Sequence, residues 1–559
     1  MKTYSLILII ASFFIYNSCS SGNEKKIVSD IKPPVTAKDP KNAFNLLEQA
    51  SNERRYNNDN TKSVRGYISL IEKEPNFVPA YLDFFRWVFD EEVYIDDKEI
   101  IASKYQVILD SIIKNGTEYE KLIYKVDSIH RNSNFGDSLS WTKKHEITRE
   151  LVMKFPNSAD AFFIKSRYHP NNNTFLDGRQ RDKRLDAVKR ALELKPNSFR
   201  ENFVDFIETY SASGGGFGTP FVSRIKNDPQ LFKSFEEDAK SLINKFPDVG
   251  RVYRVIGVRY LGAYDYDNNY FIDQAIYYLD KYIELLGESD ELSEALYYKA
   301  RAYMLIGDYK KAKFTLLENI AKATIDYRII TSYFHLILFY TNIGDYVSAI
   351  KQIDDFEGSL QGFGFSDENI LQCKVGLSNY RTIIYAHLNQ PERSKKAFLD
   401  FESNAKNLST FYNIDPNDQQ KTNRLINVKG GFDQFIRWYR FRTNEMEFDR
   451  RWITILNADF NKGRALIDDY EKSSGGGNND FLKGMILVLS GESQKGEELL
   501  DEIPIKSVPY AQYFRAQAKI DLGKTEEAKI LLDSIVKSTP INFMNDLVMG
   551  RARSILNSL

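Results

Sequence analysis

Two stretches between Leu292 and Glu357 repeat one pattern, LSEALYYKARAYMLIGDYKKAKFTLLENI and TSYFHLILFYTNIGDYVSAIKQIDDFEG. In each, an aromatic residue stands four residues before a Gly, Tyr303 before Gly307 and Tyr340 before Gly344. An acid and a Tyr follow (Asp308 and Tyr309, Asp345 and Tyr346), then an Ala (Ala312, Ala349) inside an apolar helical pattern. The two glycines lie 37 residues apart. Leu296, Ala300 and Tyr303 fall at i, i+4 and i+7, one face of a first helix. Gly307 ends that helix at a position where a left-handed backbone costs Gly least. Ala312, Leu316 and Leu317 then face back toward the first helix, and the small Ala300 and Ala312 allow close approach. Neither helix can bury its stripe alone, so neighbouring hairpins must stack.

The same pattern recurs more weakly along the chain. Ala275, Leu279 and Ile283 share a face of a helix ending at Gly287. Residues Leu377 to Ala405 carry Tyr385, the turn Asn389-Gln390-Pro391, then Ala397 and Phe401. One later unit has Gly484, Leu487, Gly491, Gly496 and Leu500; the next has Ala516, Gly523, Ala528, Leu532 and Pro540. Gly491 and Gly523 are 32 residues apart, close to the roughly 34 of one helical repeat class. Residues 406–443 are hard to place; Trp438 and Tyr439 read as core at a helix end. Toward the amino terminus four amphipathic segments end alike, YISLIEKEPN, TRELVMKFPN, VKRALELKPN and SLINKFPD. Pro cannot continue a helix, and the Asn or Asp after it is expected to accept backbone N–H groups and start the next one. These prolines are 81, 40 and 51 residues apart, an irregular period.

These units resemble the tetratricopeptide repeat (TPR). The match is moderately specific over Leu292 to Glu357 and Asp480 to Pro540. The resemblance implies an all-α fold, an α–α superhelix (solenoid) of helical hairpins whose first helices line a concave groove. The expected layout is divergent repeats over 41–250, clear units over 251–360, degenerate repeats over 361–450, and further units with a capping helix, Asn545 to Leu556, over 451–559. First-helix residues between the packing positions are then groove candidates: Glu294, Tyr297, Tyr298 and Arg301; Phe334, His335 and Asn342; Tyr510, Tyr513 and Gln517. Aromatics mixed with hydrogen-bond donors suit a protein or peptide partner.

The amino terminus reads differently. Lys2 precedes Leu6 to Tyr16, an apolar run of 11 residues that suits a signal-peptide core and is too short for a membrane span. Asn17, Ser18 and Cys19 follow, and this resembles the lipobox of bacterial lipoproteins, with residues 1–18 removed and Cys19 lipidated. Tyr16 departs from the Leu usual three before that Cys. Residues 19–40, with Ser, Gly, Asn, Lys and Pro33-Pro34, read as a flexible tether. The reading fits lipoproteins of the Bacteroidota on the outer membrane, facing the periplasm. Surface export stays open, because only Glu24 supplies the acid usual after the Cys of exported members. Besides Cys19 the chain has only Cys373, so no internal disulfide forms if Cys19 is lipidated.

Composition removes several function classes. With 76 basic and 77 acidic residues and a net charge of −1, no bulk field collects nucleic acid. The five histidines show no metal spacing; His145-Glu146 is followed by Arg149 where a zinc-protease helix needs its second His. The loop SGGGFGTP (213–220) lacks the Lys-Ser/Thr of a phosphate loop. YDYDNNYFID (264–273) spaces oxygen ligands as a calcium loop would, but Tyr270 and Ile276 replace the essential Gly and acid. A second Gly-rich stretch, 473–479, reads as a break between repeats. No catalytic residues, metal or cofactor are expected. The expectation is a lipid-anchored scaffold for a protein or peptide partner. The alternative is a glycan-binding lipoprotein of the starch-utilisation type, which shares the length, the lipidated Cys and TPR-like helices. Against it, the Leu-Asp and Pro run after the Cys and the late Tyr-Ala-Glu-Ala helix of those proteins are missing.

Overall fold

The computed structural model describes residues 30–57, 59–89, 93, 95–132, 138–168, 178–210, 229–262, 270–287, 291–418, 445–474, 479–503, 508–537 and 543–559. Among them every regular element is a helix and none is a strand. The predicted leader, Cys19, the loop at 213–220, most of the calcium-like stretch, Trp438, Tyr439 and Pro540 lie outside the described residues, as do residues 475–478 of the second Gly-rich stretch. The chain forms two compact units, one spanning 1–51 and 62–215, the other 52–61 and 216–559.

In chain order the helices before residue 215 are α1 (Pro40–Asn57), α2 (Asn60–Lys73), α3 (Val78–Trp87), α4 (Lys98–Ile112), α5 (Glu118–Asn132), α6 (Ser138–Lys154), α7 (Ala159–Arg167), α8 (Gly178–Leu194) and α9 (Phe199–Tyr210). In the first unit consecutive helices from α5 onward pack as antiparallel neighbours, and α3 packs on α4 and α5. The second unit continues with α10 (Pro229–Lys245), α11 (Gly250–Gly262), α12 (Tyr270–Leu286), α13 (Leu292–Leu305), α14 (Tyr309–Lys322), α15 (Asp326–Ile343), α16 (Tyr346–Ser359), α17 (Asp367–His387) and α18 (Pro391–Phe411). It closes with α19 (Glu445–Leu456), α20 (Phe460–Ser474), α21 (Asp480–Leu489), α22 (Ser493–Glu502), α23 (Pro509–Asp521), α24 (Thr525–Val536) and α25 (Phe543–Leu556). From α11 to α24 the helices pair as seven hairpins, and α25 packs on α15, α23 and α24. Both units are all-α stacks of TPR-like helical hairpins.

The proline turns share one geometry. Helices α2, α6, α8 and α10 each stop two residues before Pro75, Pro156, Pro196 or Pro247, as the steric demand of Pro on its predecessor requires. The next helix starts three residues after each Pro. The Asn or Asp beside the Pro is not the cap: the N-cap of α7 is Ser158, whose side chain accepts from Ala161 N. Three of the turns are instead clasped from the following helix. Tyr81 Oη donates to the Pro75 carbonyl at 2.8 Å, Asn202 Nδ2 to that of Pro196 at 2.8 Å, and Tyr253 Oη to that of Pro247 at 3.0 Å.

The glycine turns are Schellman turns. The Asp308 N–H returns to the Tyr303 carbonyl and the Asp345 N–H to that of Tyr340, both at 2.9 Å, with Gly307 and Gly344 at φ +75° and +82°. The patterned aromatic is thus the acceptor end of the turn. Asp308 and Asp345 then cap α14 and α16 by accepting from Lys311 N and Ser348 N. The same six-residue closure joins Tyr385 to Gln390, Thr454 to Asp459, Leu487 to Glu492 and Lys519 to Lys524. At two of these a non-glycine takes the left-handed position, Asn389 (φ +55°) and Ala458 (φ +60°).

Packing departs from expectation at two places. Leu316 is buried, a contribution of roughly 2 kcal/mol, but Leu317 is 46% exposed. It lies one residue, about 100°, round the helix from Leu316, on the edge of the stripe. The expected tether also stops short of residue 40. Asp30 accepts from Ala159 N at 2.9 Å and Lys32 pairs with Asp160 at 2.7 Å. The Pro34 carbonyl takes a bond from Thr117 at 2.8 Å, and Thr36 donates to Glu120 from its backbone N–H at 2.9 Å and its hydroxyl at 2.7 Å. Glu120 is fully buried and completes a capping box with Thr117 at the start of α5. Residues 30–39 are therefore a bound extended segment of the first unit. Cys373 is a buried small residue in the second unit's core.

Candidate functional site

The groove candidates sit on the first helices of three hairpins, α13, α15 and α23, where the repeat pattern places them. On α13, Glu294 pairs with Arg254 of α11 and accepts from Tyr298 Oη at 3.3 Å. Burial opposes ionisation of Glu294, yet Arg254 and Arg328 hold its carboxyl below the ordinary carboxylate range. Tyr297 stacks on His335 of α15 with ring centroids 3.6 Å apart and planes 16° apart. Burial, reinforced by Arg301 and Arg328, pushes the His335 pKa down to about 3, so its ring is neutral. Arg328 itself pairs with Glu291 at 2.9 Å, both side chains almost fully buried.

A second cluster joins α13 and α15 to α25. Arg301 Nη1 donates to Asp546 Oδ1 at 3.1 Å, and Asn342 Nδ2 donates to the same oxygen at 2.6 Å. Arg553 donates to the Asn342 carbonyl and, at 3.1 Å, to its side-chain oxygen. Tyr346 Oη reaches the Leu547 carbonyl at 2.9 Å. Burial pushes the Asp546 carboxyl above its usual range, and Arg301 opposes that shift. Beside this cluster the backbones of α15 and α25 touch, with Gly550 set against Thr341 and Gly344.

The third cluster lies between α17 and α23. His387 Nε2 and Tyr510 Oη are 2.7 Å apart, and Trp452 of α19 meets the Tyr510 ring edge-on at 4.1 Å. Burial, reinforced by Arg551, pushes the His387 pKa down to about 3. Gln517 donates to Tyr513 Oη at 2.8 Å, and Arg551 of α25 donates to the same hydroxyl at 3.4 Å.

The candidates are brought together, but not as the walls of an open groove. Tyr297, Tyr298, Arg301, Phe334, His335, Asn342, Tyr510 and Tyr513 are all buried, and Glu294 and Gln517 are partly so. Phe334 is plain core, edge-on to Tyr380 at 5.3 Å. Glu294, Tyr297 and Tyr298 of α13 are covered by the neighbouring first helices α11 and α15, Arg301 and Asn342 by the chain's own α25, and His387 of α17 by Tyr510 of α23. Arg254, Glu291, Arg328, Tyr346, Asp546 and Arg553 complete these clusters and were not among the candidates. For Asp546 alone a local signal exists: the expected capping helix sets it four residues before Gly550, an acid and a gap on one face.

Among the described residues, no three His, Cys, Asp or Glu side chains converge as a metal site. No described helix is long and apolar enough to cross a membrane. The arrangement can hold a helix by hydrogen bonds and close backbone contact.

No protein-family model and no curated protein matches this chain. Among solved structures, a signal transduction ATPase with numerous domains from Pyrococcus horikoshii, carrying a tetratricopeptide repeat sensor, is similar at 13% identity. The match covers 86% of this chain and 72% of that one, with a TM-score of 0.29. A structure of Naa15/Naa10 bound to HypK is similar at 12% identity over 88% of this chain and 68% of that one, with a TM-score of 0.23.

Proposed function

We propose that this chain is a lipid-anchored, non-catalytic scaffold of the bacterial cell envelope that holds a protein or peptide partner on its helical hairpins. One observation carries the reading: the first helices of the second unit already hold a helix in cis. Together with Tyr346 of α16 they grip α25 through a buried ion pair, a side-chain bond to a backbone carbonyl and a backbone-to-backbone approach, the interactions by which a helix-in-groove partner is recognised. The anchor rests on the apolar run and Cys19, and the outer membrane, facing the periplasm, is the proposed site. Two of the five histidines, His335 and His387, serve as packing groups. Both are buried and neutral, one stacked on Tyr297 and one bonded to Tyr510.

Purification of the carboxy-terminally tagged chain from detergent extracts tests the scaffold. The expected result is an envelope protein recovered in constant ratio through salt washes. Recovery of no protein together with retention of polysaccharide would sink the reading and favour the glycan-binding alternative. Palmitate labelling tests the anchor: label is expected in wild type and absent in Cys19→Ala, and equal labelling refutes it.

A further inference from the structure

A second feature lies away from the inner face, where α10 meets the α11–α12 hairpin. A cleft of about 460 Å³ opens beside the Pro247 turn, within the roughly 300–1,000 Å³ of small-ligand sites. Its two sides are helical ridges. Lys240 and Asn244 stand at i and i+4 on α10, and Tyr277 and Lys281 stand at i and i+4 on α12. Tyr253 and Tyr278 form the floor. Tyr253 is tied to the Pro247 carbonyl, and Tyr278 is stacked on Tyr260 with centroids 5.6 Å apart and planes 12° apart. That floor is rigid. Tyr277 stands above it, edge-on to Tyr278 at 5.1 Å, with 53% of its surface open.

The lining selects among ligand chemistries. Among the described residues of the lining, an anion such as a phosphate meets a net charge of only +1, Lys240 and Lys281 set against Glu284, which pairs with Lys281 at 2.7 Å. A quaternary ammonium over the tyrosine faces would be repelled by both Lys240 and Lys281, with Glu284 as the single carboxylate among the described lining residues to offset them. A wholly apolar ligand would strip water from Lys240 and Asn244 without return. A neutral ring with an apolar C–H face and hydroxyls at its edge meets none of these costs. Its face lies on the open ring of Tyr277. Its hydroxyls meet the Asn244 amide, which both donates and accepts, the Lys240 ammonium and the tyrosine hydroxyls.

We infer that this cleft is a binding site for a neutral saccharide, with Tyr277 as the stacking platform and Lys240 and Asn244 as the hydroxyl partners. The inference stands apart from the scaffold reading and goes beyond it. The test is native affinity electrophoresis of the detergent-solubilised full chain in gels cast with soluble starch, arabinoxylan, galactomannan or dextran. Wild type is expected to be retarded in at least one gel. Tyr277→Ala should weaken that retardation about tenfold in apparent Kd, the loss of one good aromatic contact. Tyr277→Phe, which keeps the ring, should retain it. Half of Tyr277 is exposed, so both variants should keep the wild-type melting temperature. No retardation in any of the four gels overturns the inference, as does equal retardation of wild type and Tyr277→Ala. A protein partner lost from Tyr277→Ala with no retardation of wild type also overturns it, making the cleft a protein contact. Partner recovery unchanged in Tyr277→Ala leaves the scaffold reading standing whatever the gels show.

Discussion

Replacing Gly550 with Ala probes whether the clasp of α25 on α15 holds the second unit together. A Cβ at Gly550 would lie 2.6 Å from the Thr341 carbonyl oxygen and 2.8 Å from both Cα and N of Gly344. All three are backbone atoms and cannot rotate aside, so α25 must lift. Overpacking of this kind costs about 1–3 kcal/mol, and backbone obstacles place it at the upper end. Lifting also stretches the bonds from Asn342 to Asp546 and from Tyr346 to the Leu547 carbonyl, about 1 kcal/mol for each buried bond weakened. Against this, Ala gains about 1 kcal/mol over Gly in a helix interior. The balance is a net loss of about 4 kcal/mol, or roughly 8–12 °C in melting temperature at about 2–3 °C per kcal/mol for a large unit. Urea unfolding followed by Trp fluorescence and near-ultraviolet circular dichroism measures it. Gly523→Ala is the control: Gly523 has φ +73° and no atom within 4 Å of a built Cβ, so Ala there carries only left-handed strain of about 1–2 kcal/mol. If Gly550→Ala costs no more than Gly523→Ala, α25 is not seated on α15 as described.

Three further outcomes follow from the same structure. Ala458→Gly should stabilise by about 1 kcal/mol, because the residue occupies a left-handed Schellman position at φ +60° where Gly pays no Cβ penalty; a shift in urea midpoint checks it. Arg301→Met should cost about 3–5 kcal/mol by leaving Asp546 buried without its cation, and adding Asp546→Leu should recover most of that, a double-mutant cycle in the same assay. His335 has its folded pKa lowered to about 3, against about 6.5 unfolded. The unfolded chain therefore binds the extra proton between those values, and the stabilising contribution, full above about pH 6.5, is lost as pH falls toward 3. His335→Phe, which keeps a ring on Tyr297, should flatten the fall in urea midpoint between pH 7 and 5; an unchanged slope would refute that assignment.

The hairpins were legible from residues close together in the chain. Tyr303 to Asp308 and Tyr340 to Asp345 form their turns from six consecutive residues, and a Gly at the left-handed position announces them. The turn at Ala458 has the same geometry and went unseen, because stacking holds a residue there that gives no local signal. The bound segment at 30–39 was hidden likewise, since its partners Glu74, Thr117, Glu120 and Asp160 lie far along the chain. In the candidate site, the periodicity named which first-helix residues share a face. It did not say what that face meets.

Local backbone chemistry thus specified the helices, the proline and glycine turns and the stacking of hairpins, because those preferences act over a few residues. Tertiary structure alone decided that the inner face is filled. Arg301 meets Asp546 across 245 residues of sequence and Asn342 meets it across 204, and no helical period carries that pairing. An arginine patterned for an open groove and one patterned for a buried ion pair look the same until the partner helix is in place, because burial depends on what the rest of the chain covers.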